Sequence, residues 1–139
     1  MKTWIKFGLI NAVLGFIVGV FININGFAIA APIAAFLIGG LFWKLLIKDK
    51  ITNIRIVITG ILSGSISHYL TFILSGVIGN IQYWTTGNTA YTPSIPDMLI
   101  RSVAMTLFSL LFFGWLTVPY AIITGFILKR MENNKIMNS

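Results

Sequence analysis

The chain of 139 residues contains no cysteine, one histidine and three acidic residues. Without cysteine the chain forms no disulfide, thiolate metal site or cysteine nucleophile, and one histidine is too few for a zinc or copper site. The acidic residues, Asp49, Asp97 and Glu132, lie far apart along the chain. We therefore expect neither a metal nor any other cofactor.

Catalytic motifs are equally scarce. His68 has serines one helical turn away, but no nearby carboxylate completes a Ser-His-Asp arrangement. The separated carboxylates also form no obvious pair for general acid-base catalysis or metal-assisted hydrolysis. The Gly39-Gly40 pair lacks the Gly-Lys-Ser/Thr ending of a phosphate-binding loop. These absences predict that the protein is not an enzyme.

Charged residues make up only 9% of the chain, whereas 57% of its residues are hydrophobic. This composition is typical of multi-pass membrane proteins and leaves no room for a separate soluble domain. The net charge of +7 comes from basic residues that collect at the ends of apolar segments instead of forming one patch. We therefore predict a single integral membrane domain, residues 1–139, whose surroundings are the lipid bilayer, with no nucleic-acid partner.

Four apolar segments are long enough to cross a bilayer core of ~30 Å, which takes about 20 helical residues. The predicted spans are residues 4–24, 27–47, 56–79 and 98–128, and residues 80–97 form the one long connection, on the outer side. Trp43 and Lys44 end the second span, where an aromatic ring and a cation suit the headgroup level. The fold class is therefore an all-α membrane protein, an antiparallel four-transmembrane-helix bundle.

The basic residues predict the orientation of this bundle, because cytoplasmic flanks of spanning helices are enriched in lysine and arginine. Nine of them fall on one side: Lys2, Lys6, Lys44, Lys48, Lys50, Arg55, Lys129, Arg130 and Lys135. Only Arg101 falls on the other. Both termini are therefore predicted to be cytoplasmic, in the cell (inner or plasma) membrane.

The first segment has an alternative interpretation as a cleavable leader. A basic start and an apolar run precede the triplet Ala28-Ile29-Ala30, as in a signal peptide. The apolar run is longer than the usual leader core, and another apolar segment follows at once. These two features favour retention, and the sequence leaves both outcomes open.

Small residues recur at helical spacing in the first three segments, where they allow two helices to approach closely. The candidate helix-packing residues are Gly15, Gly19, Ala35, Gly39, Gly60 and Gly64. Such faces on at least three helices suggest more packing surface than one bundle needs. They indicate binding to another membrane protein or self-association.

His68 lies near the middle of the third span and is the one ionisable residue expected at membrane depth. It is either a neutral histidine bonded to a neighbouring helix or a residue that relays protons or contacts a ligand. The candidate functional polar face comprises His68, Ser63, Ser67, Thr71 and Asn11. At the outer end, Ser94 suits a helix cap, and Arg101 is expected to reach lipid phosphate or pair with Asp97.

Two functions fit these residues. The first is a small non-catalytic membrane protein that binds a membrane partner through its helices, of the immunity, exclusion or assembly-subunit type. The alternative is a small oligomeric transporter, lipid-linked-sugar flippase or pore with a polar path around His68. The small-residue faces favour the first, and the polar face favours the second.

Overall fold

The computed structural model describes residues 1–22, 26–47, 51–86 and 94–137, with side chains up to residue 134. Four helices make up this part of the chain: α1 (Thr3–Ile22), α2 (Phe27–Leu46), α3 (Asn53–Thr85) and α4 (Ile95–Met137). Each is long and apolar enough to cross a membrane. The prediction of an all-helical fold with four helices long and apolar enough to span a membrane is confirmed.

The last two helices are longer than the predicted spans, with 33 residues in α3 and 43 in α4. Both ends of the connection predicted for residues 80–97 are helical, because α3 continues to Thr85 and α4 begins at Ile95. No glycine or proline interrupts residues 80–85, so the polar composition of this stretch does not stop the helix. The middle of the connection, residues 87–93, lies outside the described residues.

Gly26 directly precedes α2, and its φ of 77° is in the left-handed region that favours glycine. Gly26 also lies against Ile78, so the start of α2 is level with that part of α3. The last two turns of α3 therefore extend roughly 10 Å past α2, at about 1.5 Å per residue. The side chains from Ile81 to Thr86 are accordingly exposed.

Neighbouring helices pack in chain order, α1 on α2, α2 on α3 and α3 on α4, and α4 also contacts α1. Several of these contacts occur at glycines, where no side chain separates the backbones. The contacting pairs are Gly8 with Phe36, Gly15 with Ala31 and Gly19 with Ala28 between α1 and α2, and Gly60 with Ile122, Gly64 with Val118 and Gly76 with Met98 between α3 and α4. Small residues of the first three segments thus allow close approach in the α1–α2 and α3–α4 pairs.

A buried apolar cluster lies at the end of the bundle where α1 begins. Its members are Phe7, Trp43, Ile47, Ile56, Ala121 and Leu128. Trp43 is 3% exposed, and its ring centroid lies 4.6 Å from that of Phe7. Gly39 next to Phe7 and Gly125 next to Trp43 provide the space for these rings. Trp43 therefore packs inside the bundle at this end, whereas Lys44 is exposed, and the placement of both at headgroup level stays a prediction.

Charged residues mark the two ends of the bundle. The Thr3 hydroxyl donates to Glu132, and Lys129 Nζ donates to Asn53 Oδ1 at 2.7 Å, so these contacts bring α1, α3 and α4 together at one end. Lys2, Lys6 and Arg130 are near these contacts in sequence. The opposite end carries Asp97 and Arg101 near the start of α4.

Candidate functional site

A polar cavity lies between the four helices, with a volume of about 50 Å³. Seven of its lining residues are polar: Asn11, Ser63, Ser67, His68, Thr71, Ser109 and Thr117. Apolar residues of α1 and α2, among them Leu14, Val18 and Phe27, line the rest. All five residues of the candidate polar face are thus brought together, although they come from two helices.

His68 is the centre of the hydrogen bonding in this cavity and is 7% exposed. Its Nδ1 lies 2.7 Å from Ser109 Oγ, and its Nε2 lies 2.9 Å from Thr117 Oγ1. The Thr117 hydroxyl donates to the Phe113 carbonyl at 3.2 Å, so it accepts a hydrogen bond from Nε2–H. Ser109 then donates to Nδ1. We infer from this network that His68 is a neutral imidazole protonated at Nε2, with both nitrogens bonded.

Sequence reasoning missed Ser109 and Thr117, the two partners of His68. They belong to a series of hydroxyl residues on one face of α4 that the sequence does show. Ser102, Thr106, Ser109 and Thr124 are buried, and Thr117 is half-buried. Their positions, separated by four, three, eight and seven residues, follow helical periodicity. Helical periodicity could therefore have identified this polar face on α4. The signal is weak because apolar residues separate its members along the sequence.

The hydroxyls of α3 are held by the helix itself. Ser63 donates to the Gly60 carbonyl at 3.4 Å, Ser67 to Gly64 at 3.3 Å, and Thr71 to Ser67 at 2.7 Å. Because each proton is directed to a carbonyl of the preceding turn, the oxygen lone pairs remain as acceptors. The described lining contains no acidic side chain, lysine or arginine. The cavity therefore offers mainly hydrogen-bond acceptors in an uncharged setting.

Asn11 contributes from α1 and is buried. Its Nδ2 donates to the Phe7 carbonyl at 2.8 Å, which fixes the side chain along its own helix. A carboxamide nitrogen carries a second proton, so Asn11 retains a donor. Asn11 of α1 can therefore donate a hydrogen bond to a ligand, whereas the hydroxyls of α3 can accept one.

The candidate helix-packing residues face other helices of the same chain or line its central cavity. A Cβ added at Gly15 would lie 2.8 Å from the Ala31 carbonyl oxygen, and one added at Gly64 would lie 2.9 Å from Val118 Cα. Gly19, Gly39 and Gly60 also approach neighbouring helices, and Ala35 lines the cavity. The faces from which a partner was inferred are thus covered by the protein's own helices. Binding of a partner stays a prediction.

The two predicted outer charges do not line the central cavity. Asp97 forms a cap with Ser94, whose hydroxyl lies 2.6 Å from Asp97 Oδ2 and accepts from the Asp97 amide at 3.3 Å. Arg101 is exposed one turn further along α4. Among the described residues, no three histidine, cysteine or acidic side chains cluster in a way that could hold a metal ion.

The helices and the cavity define a class: a multi-pass helical membrane protein with a polar, uncharged cavity inside the bundle. No family model matches the chain, and neither a curated protein nor a solved structure matches it.

Proposed function

We propose that the protein is a small, non-catalytic membrane transporter or pore that binds a small uncharged solute in its central cavity. The observation that carries the proposal is the cavity itself, lined by seven polar side chains from three helices. Polar groups are costly inside a membrane and are found where they pair or line a path for a substrate. The hydrogen bonds of His68 account for its presence inside the bundle. The hydroxyl oxygens of Ser63, Ser67 and Thr71 instead face the cavity with lone pairs that can accept a hydrogen bond.

The size and chemistry of the cavity narrow the class of solute. A volume of about 50 Å³ holds roughly three to five water-sized groups, since each needs about 10–15 Å³. The acceptors on α3 favour hydroxyl or amine donors, and the lining supplies no charge to offset that of an ion. A short polyol, or the polar part of a larger neutral molecule, fits these conditions.

The proposal includes an antiparallel bundle with both ends of the chain on the cytoplasmic side of the cell (inner or plasma) membrane. In support, Gly8 contacts Phe36 and Gly19 contacts Ala28. Residue numbers therefore rise along α1 while those of its contacts fall along α2. The pairs Gly60 with Ile122 and Gly76 with Met98 show the same order. Basic residues at one end of the bundle favour cytoplasmic placement of that end.

Solute flux into proteoliposomes tests the transport proposal. We expect the protein to raise glycerol permeability above that of empty liposomes, and Ala35→Leu to lower this flux about tenfold, because a larger side chain enters a small cavity. Ala104→Leu is the matched control, since Ala104 is exposed on α4. It should leave the flux unchanged. Absence of flux in the parent protein, or an equal effect of both substitutions, contradicts the proposal.

Binding to another membrane protein or to a second copy is the alternative. One observation favours it: 17% of the most apolar stretch of α4 is buried, against 28–39% for the other helices. The uncovered part of α4 is free to meet lipid or another helix. Cross-linking in the membrane followed by mass spectrometry separates the two functions. A specific heteromeric partner together with absence of solute flux would replace the transport proposal with one of the immunity, exclusion or assembly-subunit type.

A further inference from the structure

A second cavity lies at the end of the bundle that carries most of the basic residues, with a volume of about 320 Å³. Thr3, Trp4, Trp43, Lys44 and Glu132 line it, together with the apolar residues Ile47 and Ile51. A smaller cavity of about 80 Å³ shares Thr3 and Glu132 with it and adds Lys6. None of these residues lines the central cavity, so this site is independent of the proposed transport path.

Charges of both signs face these two cavities. Glu132 lines both and is half-buried, and its Oε1 accepts a hydrogen bond from the Thr3 hydroxyl. Lys44 lines the larger cavity and Lys6 the smaller one. Within the described part of the chain, neither lysine forms an ion pair with Glu132. The walls therefore offer a carboxylate and two ammonium groups to a ligand.

The position of the site suits a lipid headgroup. It lies where the chain's lysines and arginines gather at the helix ends, and it includes the indole of Trp4, a residue type enriched at membrane interfaces. Trp43 and Ile47 are buried and give the site an apolar floor. A polar cavity with an apolar floor at this depth suits a molecule with a charged head and a hydrocarbon part.

We propose that this site binds the zwitterionic ammonium–phosphate headgroup of a membrane phospholipid. Lys44 and Lys6 bind the phosphate, and Glu132 accepts a charge-assisted hydrogen bond from a primary ammonium, as in phosphatidylethanolamine. Phosphatidylglycerol carries the same phosphate but no ammonium, so it brings no positive charge to Glu132. A choline headgroup has no N–H with which to bond the carboxylate.

Native mass spectrometry of the purified full chain in detergent tests this proposal. The protein is mixed with phosphatidylethanolamine, phosphatidylglycerol or phosphatidylcholine of identical acyl chains. We expect preferential retention of phosphatidylethanolamine. Glu132→Gln keeps an acceptor for Thr3 but should lower that binding about tenfold, which corresponds to the loss of one charge-assisted hydrogen bond. Lys44→Gln should weaken binding of all three lipids, because each of them carries a phosphate.

Arg130→Gln is the matched control, because Arg130 is exposed at the same end and lines neither cavity. It should leave lipid selectivity unchanged, and the melting temperatures of all variants without added lipid show whether the bundle stays folded. Equal retention of the three lipids by the parent protein overturns the proposal. So does a Glu132→Gln variant that is folded and keeps the preference, or binding of soluble phosphoethanolamine without binding of the lipid.

Discussion

At the scale of single residues, the atoms beside each glycine determine how much its replacement changes the stability of the bundle. A Cβ at Gly64 would lie 2.9 Å from Val118 Cα, and backbone atoms of α4 have little freedom to move away. Gly79 lies on the same helix, and no heavy atom is within 4 Å of a Cβ added there. The two positions are alike in the sequence and differ only in what faces them.

Gly64→Ala should therefore lower the free energy of unfolding by about 1–3 kcal/mol, the usual cost of inserting a methyl group into a packed contact. Gly79→Ala should instead raise it by about 0.5–1 kcal/mol, because alanine has the higher helix propensity and its Cβ meets no neighbour. Unfolding of the two variants in detergent micelles, followed by circular dichroism, measures the difference. Equal stability of the two variants would show that α3 and α4 are not in contact at Gly64.

His68 joins α3 to α4 through Ser109 and Thr117, and this pairing is measurable as an energetic coupling. In a double-mutant cycle of His68→Ala and Ser109→Ala we expect a coupling of about 0.6–1.7 kcal/mol, the range found for hydrogen bonds between membrane helices. Ser102 is the control, because its hydroxyl donates to the Met98 carbonyl of its own helix at 2.7 Å. The cycle of His68→Ala with Ser102→Ala should show a coupling near zero, and a similar value for both cycles would argue against the bond to Ser109.

At the scale of the helix, local chemistry at the ends sets where the long elements begin. Ser94 caps α4, where its carbonyl accepts from the Met98 amide at 2.9 Å and its hydroxyl accepts from the Asp97 amide. Asp97 adds negative charge to the first turn, which suits the positive end of the helix dipole. The first turn of α4 is exposed, so its stability depends on these bonds more than on packing.

Ser94→Ala should cost about 1 kcal/mol at the start of α4, since the Asp97 amide loses its acceptor. Ser94→Thr keeps a hydroxyl and should retain most of the cap. Hydrogen–deuterium exchange of the amides from Asp97 to Arg101 measures the change. We expect faster exchange in the alanine variant alone, and identical exchange in the two variants would show that the hydroxyl does not stabilise this end.

At the scale of the whole molecule, the distribution of charge is the basis of the proposed orientation in the membrane. The end with Lys2, Lys6, Lys44 and Arg130 is proposed to be cytoplasmic, and the ends of α3 and α4 near Gln82 and Asp97 are proposed to be external. The chain has no cysteine, so single cysteine variants can be labelled without removing any native thiol.

Gln82→Cys should react with a membrane-impermeant maleimide in intact cells, and Asn134→Cys should react only after permeabilisation. Both positions are exposed, one near the end of α3 and the other in the last turns of α4. Gel shift after labelling with a polymer-linked maleimide gives the readout. The reverse pattern would invert the proposed orientation, and equal labelling of both sites in intact cells would exclude an arrangement with these residues on opposite sides.

Much of this architecture could be predicted from the sequence because the responsible signals are local. Length and hydropathy define four helices that can cross a bilayer, and these properties belong to each segment separately. Helical periodicity likewise predicts that Ser63, Ser67 and Thr71 are held close together on α3. The cap at Ser94 depends on residues three and four positions away.

The tertiary structure decided which face meets which. Ser109 and Thr117 contact His68 between α3 and α4, whose backbones also approach at Gly64. Trp43 packs on Phe7 beside Gly39 and Gly125. The cavity with Lys44 and Glu132 joins residues from both ends of the chain. Lipid tails provide no hydrophobic force between helices, so their arrangement depends on close packing and hydrogen bonds between distant residues. Periodicity specifies that a face is small or polar, and only the folded bundle specifies the neighbour of that face.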